Sequence, residues 1–129
     1  MSTPVPSGRS AVRSVLIVED NDDVREMIRL YLEAFGLHVT EAADGTSGLD
    51  AALRDRPDLV LMDLGLPGID GFALARSIRD ADPQRLMRIV AMSGYAREHF
   101  PERTEVDLVD RWLVKPVAPD VLLGVVQGG

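Results

Sequence analysis

Carboxylates are crowded into the stretch "EDNDD", residues 19–23, directly after the apolar run "VLIV". At about 4 Å and an effective dielectric constant near 20, each pair of like charges costs on the order of 4 kcal/mol. Two arrangements relieve this repulsion: a cation bound among the carboxylates, or a helix N-terminus that favours acidic residues. We assign Glu19 and Asp20 to a cation site, and Asp22 and Asp23 to the start of a helix.

Three more polar residues follow apolar runs further along the chain. Asp63 follows "DLVLM", Ser93 follows "RIVAM" and Lys115 follows "RWLV". Clustered carboxylates suit a hard cation such as Mg²⁺, which favours oxygen ligands and retains several waters. A hydroxyl and an ammonium suit the oxygens of a phosphoryl group. Together these residue types predict a site for a divalent cation and an anionic group.

The elements that must position these residues are five apolar runs separated by helical patterns. The predicted strands are "SVLIV" (14–18), "LHVTEA" (37–42), "DLVLMD" (58–63), "RIVAMS" (88–93) and "RWLV" (111–114). Apolar residues recur with helical spacing between Val24 and Phe35, and Gly36 is placed to end that helix. Further helices are predicted at 44–56, 72–80 and 118–126. Pro101 interrupts residues 96–110, where we expect a short or mobile fourth helix.

Strands that alternate with helical patterns of roughly 10 to 15 residues predict parallel crossovers. The fold class is therefore α/β, with an open, doubly wound parallel sheet. In such sheets the ligand site lies beyond the carboxyl ends of the strands, where the strand order reverses. The polar residues that follow the first, third, fourth and fifth strands should consequently converge on one edge of the sheet.

Composition limits the remaining possibilities. The chain has 129 residues, 46% of them hydrophobic, which suits one domain (13–129) after a Pro-, Ser- and Gly-rich tail (1–12) that we expect to be flexible. A net charge of −7 argues against nucleic acid as a direct ligand and against an anionic membrane surface. No cysteine is present, and no apolar run approaches the ~18 residues of a membrane span. With no signal-peptide pattern either, we expect a soluble cytoplasmic protein.

Four motifs in order, "VEDN", "LMDLGLPGIDG", "MSGY" and "WLVKPV", give the chain a family likeness. From about residue 13 to residue 127 it resembles the receiver domain of bacterial two-component response regulators. This resemblance implies a flavodoxin-like, three-layer (βα)5 sandwich with a five-stranded sheet in the order 2-1-3-4-5. It also implies a signalling role and Mg²⁺ as the cofactor.

The resemblance assigns the metal site and the phosphoacceptor. Asp63 matches the residue that takes a phosphoryl group from a histidine kinase or a histidine phosphotransfer protein, and it also contributes to the metal site. Asp20 matches the carboxylate that binds Mg²⁺ directly, with Glu19 in the outer acidic position. Gly65 matches the residue whose backbone carbonyl binds the metal.

The resemblance also assigns a switch. Ser93 matches the switch hydroxyl, and Lys115 matches the lysine that contacts the phosphoryl oxygens. Trp112 occupies the switch-aromatic position, and Pro116 is a candidate for a cis peptide bond. The surface formed by the fourth helix, the fifth strand and the fifth helix is then expected to bind a downstream protein.

Several functions remain open. The leading hypothesis is a stand-alone phosphoacceptor regulator, because the sequence ends 14 residues after Lys115 without an output region. Alternatives are a receiver from a hybrid histidine kinase, or an interaction module that is never phosphorylated. A phosphatase with an aspartyl nucleophile is disfavoured, since Gly65 stands where such enzymes place a second Asp. Enzymatic activity is expected only as limited self-phosphorylation and autodephosphorylation.

Overall fold

The computed structural model describes residues 12–66, 70–100 and 107–128 of the chain. Five parallel strands form one sheet in the order β2-β1-β3-β4-β5, which confirms the predicted fold and strand order. The strands are β1 (Ser14–Val18), β2 (His38–Ala42), β3 (Leu59–Asp63), β4 (Arg88–Ser93) and β5 (Arg111–Val114). The α-helices in these residues are α1 (Asp22–Glu33), α2 (Gly45–Asp55), α3 (Gly71–Asp80) and α4 (Pro119–Val126).

Each central strand is apolar on both faces because helices cover both sides of the sheet. Along β1, Leu16 and Val18 pack into one cluster with α2 and α3, whereas Val15 and Ile17 pack into a second cluster with α1 and α4. This period of two follows from the pleat, which points successive side chains to opposite faces. The result is the predicted three-layer sandwich.

The strand order determines where the residues of the predicted site meet. The chain first moves from β1 outward to β2, and then crosses back over β1 to β3. Right-handed crossovers in opposite directions put α1 and α2 on opposite faces of the sheet. The carboxyl ends of β1 and β3 are adjacent at this reversal, with Val18 paired to Met62. Residues that follow these two strands therefore meet.

Short polar residues start three of the helices. The side chains of Asn21, Asp44 and Asp70 accept hydrogen bonds from backbone N–H groups in the first turns of α1, α2 and α3. Such N-caps satisfy donors that a helix leaves unpaired. Gly36 follows α1 with φ +87°, a conformation that glycine adopts without strain. Local chemistry thus fixes the starts of these three helices and the end of α1.

The segment after β4 differs most from a regular (βα) unit. Where the sequence predicts a fourth helix, the described residues contain a 3-10 turn at Arg97–His99, and residues 101–106, which include Pro101, lie outside them. Residues 1–11 of the predicted tail also lie outside the described residues, whereas Val12 packs against the cluster under α1 and α4. Among the described helices, none is both long and apolar enough to cross a bilayer.

Gly71→Ala should destabilise the fold, because a Cβ at this first residue of α3 would lie 2.5 Å from the Cα of Leu64. Leu64 directly follows Asp63, so relief of the clash requires a backbone shift beside the site. We expect a loss of about 1–3 kcal/mol in the free energy of unfolding, measured with urea.

Gly124→Ala in α4 is the matched control, since its Cβ would meet no atom within 4 Å. This substitution should raise the free energy of unfolding by up to about 1 kcal/mol, because alanine is the better helix former. Equal effects of the two substitutions would contradict the close packing of Gly71 on Leu64.

Candidate functional site

Lys115 joins two carboxylates from different strands. Its Nζ atom donates to Oε1 of Glu19 at 3.2 Å and to Oδ2 of Asp63 at 3.0 Å. Glu19 follows β1 and is 1% exposed, while Asp63 ends β3 and is 8% exposed. The lysine follows β5, so its side chain reaches across the edge of the sheet past β4. One ammonium therefore holds together the carboxyl ends of β1, β3 and β5.

Backbone N–H groups hold the other oxygens of the same carboxylates. The N–H of Asn21 donates to Oε2 of Glu19 at 3.1 Å, and the N–H of Gly65 donates to Oδ1 of Asp63 at 3.0 Å. Each carboxylate consequently has one oxygen on the ammonium and one on the loop that follows its own strand. These two hydrogen bonds fix the orientation of each carboxylate plane.

Asp20 completes an acidic cluster. Its side chain is exposed, and Glu19, Asp20 and Asp63 each present an oxygen such that the three atoms lie within 4.8 Å of one another. Three carboxylate oxygens at this spacing are a donor set that suits Mg²⁺ or another hard divalent cation. The exposure of Asp20 leaves room for the water ligands that Mg²⁺ retains. The residues present therefore fit the metal that the sequence predicts.

For both Glu19 and Lys115, burial shifts the pKa in one direction and hydrogen bonding shifts it in the other. Burial raises the pKa of Glu19, and the nearby negative charge of Asp63 adds to this, although hydrogen bonds from Asn21 and Lys115 partly oppose it. Burial alone would lower the pKa of Lys115, but hydrogen bonds and attraction to Asp63 and then Glu19 raise it. The lysine is therefore held in its charged form.

Ser93 ends β4 beside the phosphoacceptor candidate and is 5% exposed. Asp63 pairs with Met92 in the sheet, so Ser93 lies one position beyond this pair on the neighbouring strand. The Ser93 hydroxyl accepts a hydrogen bond from the N–H of Tyr95 at 3.0 Å, and its carbonyl accepts from the N–H of Lys115 at 2.7 Å. Ser93 thus joins the loop after β4 to the lysine.

Trp112 connects to Ser93 through the same loop. The Trp112 Nε1–H donates to the carbonyl of Tyr95 at 3.0 Å, and the half-buried indole packs against the rings of Phe100 and Phe72, with centroids 5.6 and 6.2 Å away. The two peptide groups of Tyr95 therefore link the Ser93 hydroxyl to the Trp112 indole. The Lys115–Pro116 peptide bond beside the site is cis.

An apolar groove of about 460 Å³ opens beside Lys115, between α1 and α4. Met92 and Lys115 line it, and Met27 is 51% exposed on its α1 wall. Its other walls are formed by Val24, Ile28, Tyr31, Pro116, Val117, Pro119 and Leu122. An apolar surface is therefore continuous with the charged site.

The sequence reasoning missed Arg25, which the structure places against the acidic loop. Its Nη1–H donates to the backbone carbonyl of Glu19 at 2.8 Å. The sequence does carry a signal for Arg25. It is the first cationic residue after the acidic stretch, and it lies three residues after Asp22, on the same face of the predicted helix. The sequence gives no indication, however, that its partner is a carbonyl.

The chain is similar to known proteins in sequence and in fold. Residues 15–127 match the family model of the response regulator receiver domain. The transcriptional regulatory protein YxdJ of Bacillus subtilis is 34% identical over 120 residues, which are 90% of this chain and 49% of YxdJ. The chain thus spans about half the length of that relative. The polar-differentiation response regulator DivK of Brucella anthropi is 32% identical over 106 residues, covering 82% of this chain and 86% of DivK.

A solved structure agrees with the sequence relatives. The receiver domain of the sensor histidine kinase PA1611 from Pseudomonas aeruginosa PAO1 is 32% identical, with a TM-score of 0.79. The match covers 91% of this chain and 96% of that one, and the PA1611 structure has a magnesium ion coordinated in its active-site cleft. With the sheet order and the acidic edge in place, the chain belongs to the response regulator receiver domain family of two-component signalling.

Proposed function

We propose that this chain is a phosphoacceptor of two-component signalling, in which Asp63 receives a phosphoryl group. The observation that carries the proposal is the contact of Lys115 with Asp63 inside a cluster of three carboxylates. An ordinary structural ion pair needs one partner, whereas this lysine faces Glu19 and Asp63 together. If no divalent cation belonged to the site, the third carboxylate, that of Asp20, would only add repulsion.

Each residue has a role in the transfer. An Asp63 carboxylate oxygen forms the new bond to phosphorus, while the bond from phosphorus to the donor's histidine nitrogen breaks and leaves its electron pair on that nitrogen. Lys115 and the Ser93 hydroxyl donate hydrogen bonds to the phosphoryl oxygens. Asp20, Asp63, the Gly65 carbonyl and, in the outer position, Glu19 would hold Mg²⁺, which would supply neutralisation of the charge on these oxygens. The magnesium in the PA1611 receiver supports this metal assignment.

Asp63→Asn should abolish phosphorylation. Incubation of the wild-type chain with acetyl phosphate and Mg²⁺ should add one phosphoryl group, seen by intact mass, and the amide of the variant lacks the nucleophilic carboxylate. Asp50→Asn, an equal change at an exposed position of α2, should be phosphorylated like the wild type. Labelling of Asp63→Asn at the wild-type level would rule out the assignment, and a wild type that stays unlabelled would favour a constitutive interaction module.

A histidine kinase or a histidine phosphotransfer protein is the expected donor, and the groove beside Lys115 is the surface we propose for it. A donor must bring its phosphohistidine to Asp63, so its surface must cover the protein next to the site. An apolar groove between two helices suits a third helix with an apolar face. The exposed side chain of Met27 lies on this path.

Met27→Glu should slow transfer from a phosphorylated kinase roughly tenfold or more, because a charge would be buried against the donor helix. The probe is an autophosphorylated histidine kinase that phosphorylates the wild type. Transfer from acetyl phosphate should stay unchanged, since that donor does not use the groove. Leu86→Glu is the control, because Leu86 is 74% exposed and precedes β4 at the opposite end of the sheet. Equal slowing by both substitutions would exclude the groove as the docking surface.

Phosphorylation is proposed to act on a partner through Ser93 and Trp112. A phosphoryl group adds negative charge and strong acceptors at Asp63. If Ser93 turns toward them, its hydrogen bond from Tyr95 changes, and the carbonyl of Tyr95 that accepts from Trp112 moves with it. The surface made by the segment after β4, by β5 and by α4 would then change shape, which biases a pre-existing two-state element.

Trp112 fluorescence should report this change, because Trp112 is the only tryptophan. Beryllofluoride with Mg²⁺, a phosphoryl mimic, should alter its emission in the wild type. Ser93→Ala should reduce the response, since the variant retains Asp63 and Lys115 but lacks the hydroxyl. Unaltered wild-type emission at saturating mimic would make Trp112 an ordinary core residue.

Two relatives support different domain contexts for this activity. DivK, matched over 86% of its length, supports a single-domain regulator. The receiver of the sensor kinase PA1611 supports the alternative, a receiver within a hybrid histidine kinase. The size of the chain detected in extracts of its source cells discriminates between these settings, whereas the chemistry at Asp63 is common to both.

A further inference from the structure

We propose that Arg25 is a positioning residue for the metal ligand Asp20, acting through the backbone carbonyl of the residue that precedes it. The inference rests on the proposed function, in which Asp20 binds Mg²⁺. Arg25 lies in the first half of α1 and its side chain is 17% exposed. It contacts neither Asp63 nor Lys115 among the described interactions, so its effect on the site must pass through the loop that carries Asp20.

Each nitrogen of the Arg25 guanidinium has its own partner. Nη1 donates to the Glu19 carbonyl at 2.8 Å, Nη2 to Oδ1 of Asp22 at 2.6 Å, and Nε faces Oε1 of Glu41 at 3.4 Å. The planar fork of arginine can serve three directions at once, which a lysine ammonium on a flexible stem does not do with fixed geometry. Glu41 lies on β2 and Asp22 on α1, so the guanidinium position is set by two elements.

Hydrogen bonds to backbone carbonyl groups hold the loop around Asp20. The carbonyl of Glu19, which precedes Asp20, accepts from the Arg25 side chain, and the carbonyl of Asn21, which follows it, accepts from the Arg25 backbone N–H at 2.9 Å. The Asp20 carboxylate itself makes no hydrogen bond to another described residue in the contacts of this structure, unlike Glu19 and Asp63. Its direction is therefore set by the peptides that flank it, and the Arg25 side chain binds the one that precedes it.

A positioning role and a purely electrostatic role of Arg25 predict opposite effects of its removal on the affinity for Mg²⁺. If Arg25 acted only as a nearby positive charge, its removal would strengthen Mg²⁺ binding, because two cations repel. If it orders the Glu19–Asp20 peptide, its loss would weaken binding, because the Asp20 carboxylate would then have to be fixed by the metal itself. Substitutions that separate charge from geometry can distinguish these roles.

The test compares Arg25→Gln, Arg25→Lys and Arg29→Gln. Arg29 is a matched control, since it lies one turn along α1 and pairs with the same Glu41 at 3.0 Å, but its other contact is Glu33. Arg25→Gln should weaken Mg²⁺ binding, measured by calorimetric titration, roughly three- to tenfold, the size expected for loss of one ordinary intramolecular hydrogen bond. Arg25→Lys should also weaken it, and Arg29→Gln should leave it at or slightly above the wild-type affinity.

A second measurement needs no metal. Hydrogen exchange of the Glu19 and Asn21 amides, which donate to the Ala42 carbonyl and to the Glu19 carboxylate, should accelerate in both Arg25 variants and stay unchanged in Arg29→Gln. The exchange is followed by NMR in metal-free protein. Urea unfolding of each variant separates this local effect from a general loss of stability, which would accelerate exchange throughout the chain.

The outcomes are distinct. Tighter Mg²⁺ binding in Arg25→Gln with wild-type affinity in Arg25→Lys would show a charge effect and overturn the proposal. Wild-type affinity and wild-type exchange in both Arg25 variants would overturn it as well. A wild-type chain that binds no Mg²⁺ would instead contradict the proposed function, and the exchange data alone would then decide whether Arg25 orders the loop.

Discussion

Repulsion among carboxylates at one edge of the sheet is the constraint on which the rest of the structure depends. Glu19 and Asp63 are both buried there, and Asp20 lies beside them. Buried like charges are tolerated only where cations or hydrogen bonds compensate for them. Lys115 supplies the permanent cation, and a divalent metal suits the open side. The fold around the site can be understood as the means of bringing that lysine to those acids.

Compensation of this kind explains how the site is ordered and how, under the proposed function, it would respond to phosphorylation. The two central carboxylates are each fixed by the ammonium and by a backbone N–H group, so their oxygens do not need to rearrange to receive a metal or a phosphoryl group. Under the proposed function, added negative charge at Asp63 would draw Lys115 away from Glu19 and the Ser93 hydroxyl away from the N–H group of Tyr95. A group that is held by a few charged contacts is sensitive to a change of charge.

Backbone groups connect this site to side chains around it. The Tyr95 peptides lie between the Ser93 hydroxyl and the Trp112 indole, and the Glu19 carbonyl lies between Arg25 and the acidic loop. In both cases a long side chain with directed N–H donors binds a carbonyl that belongs to a neighbour of a site residue. Such contacts hold a loop in place without adding a side chain to the site.

The sequence by itself determined the strand and helix pattern, the order of the sheet through its family likeness, and the residue types at the strand ends, because periodicity and motif spacing are local. It did not determine the segment after β4, where Pro101 removes the helical signal, nor the partner of Arg25. Only the tertiary structure decided that Lys115 bonds Glu19 and Asp63 at once, across 96 and 52 positions of the chain. It also decided that the Trp112 indole bonds the Tyr95 carbonyl. Contacts to carbonyls leave no trace in residue type, since every residue carries one, and they form only when folding brings distant segments within about 3 Å.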